Sequence, residues 1–552
     1  MSEISRRDAL KIFGTAFAAF LVNNTAQAEQ NYVTNQLFDH IILTWQDDPK
    51  TTQTISWRSS TSITKSVVQY AKANSSFPEK SLSTEGKTQK FSSDSGDMNL
   101  HTVLLTNLQP GTRYIYRVGD GIHWSSIYTF ETEPKGIASF KFLIFTDNHS
   151  GKDPNRPELW RNTIQNAFKS NPDAKFLVNV GDIVEWGNRY SDWIDFFNGA
   201  KGVIEKIPSM VVMGNHELYN FPKKKPFLTP YYFISHFNLP QNGPDGLKGQ
   251  VYSFDYANTH FVVLDSQAKE EKDYNKDLLS KQAVWLENDL KNTHKKWKIA
   301  FFHKPPYFIE STEEQEEIKK AFSPIFDKYH VDIVFNGHHH GLARTYPIYN
   351  DSFVDNPAKG TIYYIAGRSG EKLPSGISSK IWDAYFYDPQ DQPNYLTVDI
   401  TDEKMVIKAF KQDGTLMDYY LIDKSNSIAK TVIPPKYNQT QLVLFGDRLH
   451  EPFIKSHPKK LGDKWYVPII PFIEYLGGRV YVNEKNINLV YEGNDIKMNS
   501  DDKHAIKNGS TVSLPDNLEI DKQDVYISAD NLKTLFGFSY KYDAKTNMLM
   551  FI

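Results

Sequence analysis

Five short stretches carry residue types able to grip metal ions: Asp147-Asn148-His149, Gly181-Asp182, Gly214-Asn215-His216-Glu217, His303 and Gly337-His338-His339-His340. Asp147 and His149 stand two apart, so an extended chain projects both to one side, where they can hold one cation. Asp182 follows a glycine, and a carboxylate at such a turn can be shared by two cations. Asn215 offers a neutral amide oxygen, while His303, His338 and His340 offer imidazole nitrogens. Sorted by charge and number, these groups make two sites with a common carboxylate. Two ions about 3.5–4 Å apart can hold a hydroxide between them and clamp the attacking and leaving oxygens of a phosphoryl transfer. Water bound in this way can have a pKa near ~7, so no serine or cysteine nucleophile is needed. The chain has no cysteine, which excludes disulfides, thiolate metal sites and cysteine nucleophiles. Ligands drawn from His, Asp, Glu and Asn favour manganese, zinc or iron.

The elements around these stretches give them a common address. Phe142-Leu143-Ile144-Phe145 precedes Asp147, Phe176 to Val180 precedes Gly181-Asp182, and Met210-Val211-Val212-Met213 precedes Gly214. Ile299-Ala300-Phe301-Phe302 precedes His303, and Ile333-Val334-Phe335 precedes Gly337. Helical patterns over 158–169, 281–292 and 313–329 alternate with these apolar runs. The rhythm is that of an α/β layout with a buried sheet, which binds ligands at the carboxyl ends of its strands. Upstream, 41–45, 53–57, 67–70, 101–105 and 112–118 read as strands separated by turns, an all-β arrangement. Leu108-Gln109-Pro110-Gly111-Thr112-Arg113-Tyr114 resembles a turn of fibronectin type III domains, which implies an immunoglobulin-like sandwich. Pro434-Pro435 reads as a linker. Beyond it, 466–490 and 526–550 form a weak repeat, each copy a strand, a short helix ending at glycine, and a hairpin.

Taken singly, Gly-Asp is a common turn, Asn-His-Glu can cap a helix, and a run of histidines can be a surface tract. Taken in order, each after an apolar strand, they point to one centre. The order D-x-H, G-D, G-N-H-E, H and G-H-x-H resembles the calcineurin-like metallophosphoesterase superfamily. With the preceding sandwich it is similar to purple acid phosphatases, over roughly Phe38 to Asp423. The resemblance implies a central metallophosphoesterase β-sandwich flanked by helices. It also implies one metal ion on Asp147, His149, Asp182 and His340, and a second on Asp182, Asn215, His303 and His338. His216 would then be the catalytic residue that donates to the phosphoryl oxygens or protonates the leaving alkoxide. Purple enzymes have a tyrosine three residues after the bridging aspartate; here Glu185 stands there, which implies a colourless site. Glu217 reads either as a partner of a ligand or as a helix cap, and His339 as structural. Lys223-Lys224-Lys225 reads as a solvated run, and His101, His123, His236, His260 and His504 fall outside the motifs. The C-terminal repeat resembles copper amine oxidase N-terminal-like modules, without residues for copper chemistry.

At 552 residues the chain needs several cores. We expect an export signal over 1–28, a fibronectin III-like domain over 37–134, a catalytic domain over 138–424 and a small α+β repeat module over 431–552. Arg6-Arg7 before an apolar run from Ala9 to Val22, with Ala26-Gln27-Ala28 behind it, resembles a twin-arginine export signal. A net charge of −3 gives no field directed at nucleic acid, and no stretch is long and apolar enough to anchor in a membrane. The expected function is an exported phosphomonoesterase acting on a phosphate-ester substrate through a hydroxide between two metal ions. The C-terminal module is a candidate for holding it to a cell wall or surface. A phosphodiesterase or nucleotide hydrolase with the same centre is the alternative within the class. A non-catalytic cell-surface binding protein is the alternative outside it.

Overall fold

The computed structural model describes residues 37–552 apart from 137, 150–157, 223–224, 227–228, 311–314, 355, 426–438, 446, 450–455, 522–523 and 545–546. The export-signal stretch, the Pro434-Pro435 linker and Lys223-Lys224 therefore lie outside the described residues. The N-terminal strands pair into two four-stranded antiparallel sheets. One holds Asp39–Thr44, Gln53–Ser59, Gly96–Leu105 and Lys87–Ser93; the other holds Leu82–Glu85, Val67–Lys72, Arg113–Gly119 and Tyr128–Glu131. Alternation places Ile55, Trp57, Val68, Val103, Tyr114 and Tyr116 in the core between them.

The central domain has two sheets, where the strand rhythm alone indicated one. The first runs Ser209–Val211, Leu177–Asn179, Ser139–Phe145, Asn394–Thr401, Lys404–Lys411, Leu416–Asp423. The second has seven strands and includes Thr259–Val263, Trp297–Phe301, Ile333–Asn336 and Ile362–Ala366 in parallel. Apolar runs buried on both faces do not disclose which sheet each strand joins. Phe142 from the first sheet meets Phe261 of the second edge-to-face at 5.6 Å, inside one shared core. Each such fully buried side chain contributes roughly 1.5–3 kcal/mol. Residues of opposite parity face away: Ala300, Val334 and Tyr363 pack with Leu286, Leu290, Phe322 and Phe326 of the helices Leu278–Asn292 and Glu316–Tyr329. On the far side of the first sheet the helices Glu158–Ser170 and Tyr190–Ala200 are joined by a Trp160 Nε1 donation to the Phe196 carbonyl at 3.0 Å.

The sandwich is welded to this domain. Trp45 is 1% exposed and packs against Phe176 and Tyr256. The Leu43 amide donates to Ile204 O at 3.0 Å, and Tyr116 Oη to Glu205 O at 2.8 Å. In the C-terminal segment each repeat copy keeps its order: Lys464–Pro468 then helix Ile469–Tyr475, and Asp524–Ser528 then helix Ala529–Phe536. The lead strands pair antiparallel, Tyr466 opposite Ser528. The copies then diverge. The first hairpin extends into a five-stranded sheet, whereas the last strand of the second pairs in parallel with Gln441–Leu444. Among the described residues, no helix is long and apolar enough to cross a membrane.

Candidate metal centre

Three strands of the first sheet and two of the second end at one place, and their turns carry the five polar stretches. The turns are tight. Asp147, Asp182, His338 and His340 all have positive φ, between 48° and 75°, a conformation that costs non-glycine residues about 1–3 kcal/mol each. Gly337 permits the closest approach: a Cβ there would lie 2.1 Å from Thr146 Oγ1 and 2.5 Å from Asp147 Oδ2.

Two groups of ligand atoms share Asp182: Asp147, His149, Asp182 and His340, then Asp182, His303 and His338, each within 4.8 Å; a third, His149, Glu185 and His216, shares His149 with the first. Asp182 Oδ1 accepts from the His216 amide at 2.9 Å, which turns Oδ2 toward His303 Nε2 at 3.1 Å and His149 Nε2 at 3.9 Å. Asp147 Oδ2 accepts from Thr146 Oγ1 and the His338 amide, so Oδ1 faces His340 Nε2 at 3.2 Å. The imidazoles are oriented from behind. The Nδ1 of His303 donates to Val180 O at 2.7 Å, that of His340 to Lys372 O at 2.9 Å, and that of His149 to Glu185 Oε2 at 2.7 Å. Each bond fixes the tautomer and directs Nε2 into the centre, the arrangement that serves a metal-ligating histidine.

Four of the inward atoms are buried without a hydrogen-bond partner: Asp147 Oδ1, His149 Nε2, Asn215 Oδ1 and His303 Nε2. Buried polar atoms are rarely left so, and cations would satisfy all four at once. The charge balance agrees. Burial alone would lower the His303 imidazole, but Asp182 and Asp147 outweigh it and raise it to about 9. Burial would likewise raise Asp182, yet His303 and His216 hold it well below the usual carboxylate range. The carboxylates thus make the centre one that favours positive charge.

His216 lies beside this cluster, its ring stacked on His149 at 4.4 Å. Its Nδ1 donates to Glu185 O at 2.8 Å, and its Nε2 accepts from Lys372 Nζ at 3.2 Å. Burial lowers its imidazole to about 3. Glu217 is fully buried and caps no long helix. Its carboxylate accepts from the amides of Gly214 at 2.6 Å, Asp182 at 3.0 Å, Ile183 at 2.8 Å and Val184 at 3.3 Å, and so clamps the turn that presents Asp182. His339 points away, its Nδ1 accepting from the Ile309 amide at 3.4 Å. His101, His236, His260 and His504 sit elsewhere, hydrogen-bonded to Ser59, Tyr232, Asp255 and Asp502 respectively, and His123 to Asp120. Sequence reasoning assigned no role to Lys372 and read Glu185 only as a missing tyrosine. An acid three residues past the shared aspartate was the available signal for Glu185; nothing in the local sequence marked Lys372.

Residues 140–342 match the family model for calcineurin-like phosphoesterases. Those residues are similar to a calcineurin-like phosphoesterase domain. Ahead of that phosphoesterase domain, residues 38–132 match the N-terminal domain of purple acid phosphatases, and residues 450–551 match the copper amine oxidase N-terminal domain. Acid phosphatase type 7 of Mus musculus is 29% identical over 302 residues, 49% of this chain and 64% of that protein. Purple acid phosphatase 15 of Arabidopsis thaliana is 28% identical over 311 residues, 50% of this chain and 55% of that protein. The solved purple acid phosphatase of yellow lupin seeds superposes with a TM-score of 0.58 at 18% identity, over 70% of this chain and 74% of its own, and shares the fold. The chain therefore spans a little over half the length of these curated relatives.

Proposed function

We propose that the protein is a phosphomonoesterase using two metal ions, one held by Asp147, His149, Asp182 and His340, the other by Asp182, Asn215, His303 and His338. The four buried, unpartnered donor atoms converging on Asp182 support this most directly. Two ions bound there would supply activated water as the attacking oxygen and offset the charge of the phosphoryl group. The oxygen and imidazole donors suit manganese, zinc or iron, and Glu185 in place of tyrosine gives a colourless centre. Glu185 and the carbonyls of Val180 and Lys372 hold the imidazole rings in register. Glu217 keeps the Asp182 turn closed. The Glu185 carbonyl keeps His216 Nδ1 protonated, so Nε2 is the atom that takes up a proton when the anionic substrate binds and then passes it to the leaving oxygen. We also propose that the protein is exported by the twin-arginine route, which Arg6-Arg7 and the apolar run from Ala9 to Val22 support, with the C-terminal module a candidate for holding it to a cell wall or surface.

Hydrolysis of a chromogenic phosphomonoester and of the matching diester, with and without chelator, tests this. The monoester should turn over faster, chelator should abolish turnover, and His216→Ala should lower kcat by about 100-fold or more. Metal-loaded protein that hydrolyses neither ester would overturn the enzymatic reading. Turnover of the diester alone would replace monoesterase by diesterase.

A further inference from the structure

Among the described residues, Lys372 is a cationic side chain that reaches the candidate centre, and the loop that carries it is tied down along its length. The loop leaves the strand Ile362–Ala366 at Gly367, whose φ is +84° and whose position a Cβ would drive into Asn394 at 2.0 Å. Arg368 Nη1 donates to Gly370 O at 2.6 Å, and its Nη2 donates to Pro389 O at 2.9 Å. The Ser369 amide donates to Thr146 O at 2.8 Å, and the Gly370 amide to Asp147 O at 3.2 Å, so the loop is tied to the same turn that presents Asp147. The Lys372 carbonyl then accepts from His340 Nδ1. With its backbone so fixed, the half-buried side chain turns back over the centre and sets Nζ 3.2 Å from His216 Nε2.

A lysine in such a place is ordinarily there for a carboxylate. No ion pair among the described residues engages Lys372; its ammonium instead adds positive charge beside the imidazoles of His149 and His216. The carboxylate within its field is Glu185, which is already committed to His149 Nδ1. An anion beside His216 would accept the remaining N–H groups of Lys372.

We infer that Lys372 binds the non-bridging oxygens of the substrate phosphate, and that its charge makes the centre select monoester dianions over diester monoanions. This rests on the phosphoesterase reading above. A monoester at neutral pH presents about one more negative charge than a diester, and a charge-assisted hydrogen bond from a fixed ammonium grows with that charge. The same contact serves inorganic phosphate, the product.

Lys372→Met and Lys372→Arg, purified with metal, separate this role from a structural one. Metal content serves as the control, since the backbone carbonyl that positions His340 is untouched by either change. In Lys372→Met the ratio of kcat/KM for an aryl phosphomonoester to that for the matching diester should fall about tenfold or more. Inorganic phosphate, titrated calorimetrically into the metal-loaded protein, should bind about tenfold more weakly. Lys372→Arg, which keeps the charge, should recover part of both. An unchanged ratio, or an equal fall for both esters with phosphate binding intact, would overturn the inference. If wild-type protein hydrolysed no ester, the phosphoesterase reading would fail. The phosphate titration would still decide Lys372, because equal affinity in wild type and Lys372→Met would refute it.

Discussion

Replacing Glu185 by alanine should weaken the binding of one metal ion while leaving the other nearly untouched. Glu185 Oε2 accepts from His149 Nδ1 at 2.7 Å, with side chains only 13% and 0% exposed, so solvent screens the pair little. Hydrogen bonds to charged groups contribute about 1.5–3 kcal/mol, equivalent to roughly 10- to 150-fold. Loss of a carboxylate behind a metal-bound imidazole typically costs about 10–100-fold in affinity. Glu185→Ala should therefore weaken the ion on Asp147, His149, Asp182 and His340 by about 10–100-fold. Glu185→Gln keeps an acceptor oxygen without the charge and should lose about 3–10-fold, the smaller part of that range. His216 should be disturbed less than His149, since its Nδ1 donates to the Glu185 backbone carbonyl at 2.8 Å and lies 3.8 Å from the side-chain Oε2. Competition against a fluorescent chelator resolves the two binding events. If both remain within about twofold of wild type, Glu185 does not support His149. If both weaken equally, the variant has lost local structure and the two-site assignment fails.

Glu217→Ala removes the acceptor of four backbone amides in a fully buried turn. At about 1–1.5 kcal/mol for each of the bonds lost, the catalytic domain should lose on the order of 4–6 kcal/mol in urea unfolding; a loss below about 1 kcal/mol contradicts the clamp. His260, on the strand Thr259–Val263, bonds Asp255 at 2.8 Å and Asp289 of the helix Leu278–Asn292 at 2.7 Å. Burial would lower its imidazole, but the two carboxylates outweigh it and raise it to about 9 from an ordinary value of 6.5. A raised folded value stabilises fully below pH 6.5 and is lost as pH climbs through 9, about 3 kcal/mol in all. Unfolding free energy measured from pH 6 to pH 10 should fall more steeply in wild type than in His260→Gln, and identical slopes would refute it. Protein loaded with ferric iron should show no strong visible charge-transfer band, because residue 185 is glutamate; an intense band in the wild type would mean that a tyrosine reaches the iron from elsewhere.

The legibility of the molecule in its sequence differed from element to element. The central helices began within a few residues of where periodicity put them, and the polar stretches converged because each follows an apolar strand. Local sequence carries that information: burial on both faces, then an abrupt change to Asp, Gly or His. It does not carry strand partnership: the family resemblance implied a sandwich, but which strands share each sheet, and the addition of Asn394–Thr401 beside Ser139–Phe145, emerged only in the fold. The same limit hid the groups that act at long range. Lys372 meets His216 across 156 residues and stands on a loop with no motif. Glu217 was ambiguous because a carboxylate after Asn-His suits a helix cap as well as a clamp. Only the four amides around it decide between them.

The number of metal ions bound per chain tests the central claim most directly. Elemental analysis of wild-type protein after dialysis should return two manganese, zinc or iron ions per chain, with Asp182→Asn retaining one or none. Wild-type protein that binds no ion, or an Asp182→Asn variant that keeps two as tightly, would contradict a centre built on that shared carboxylate.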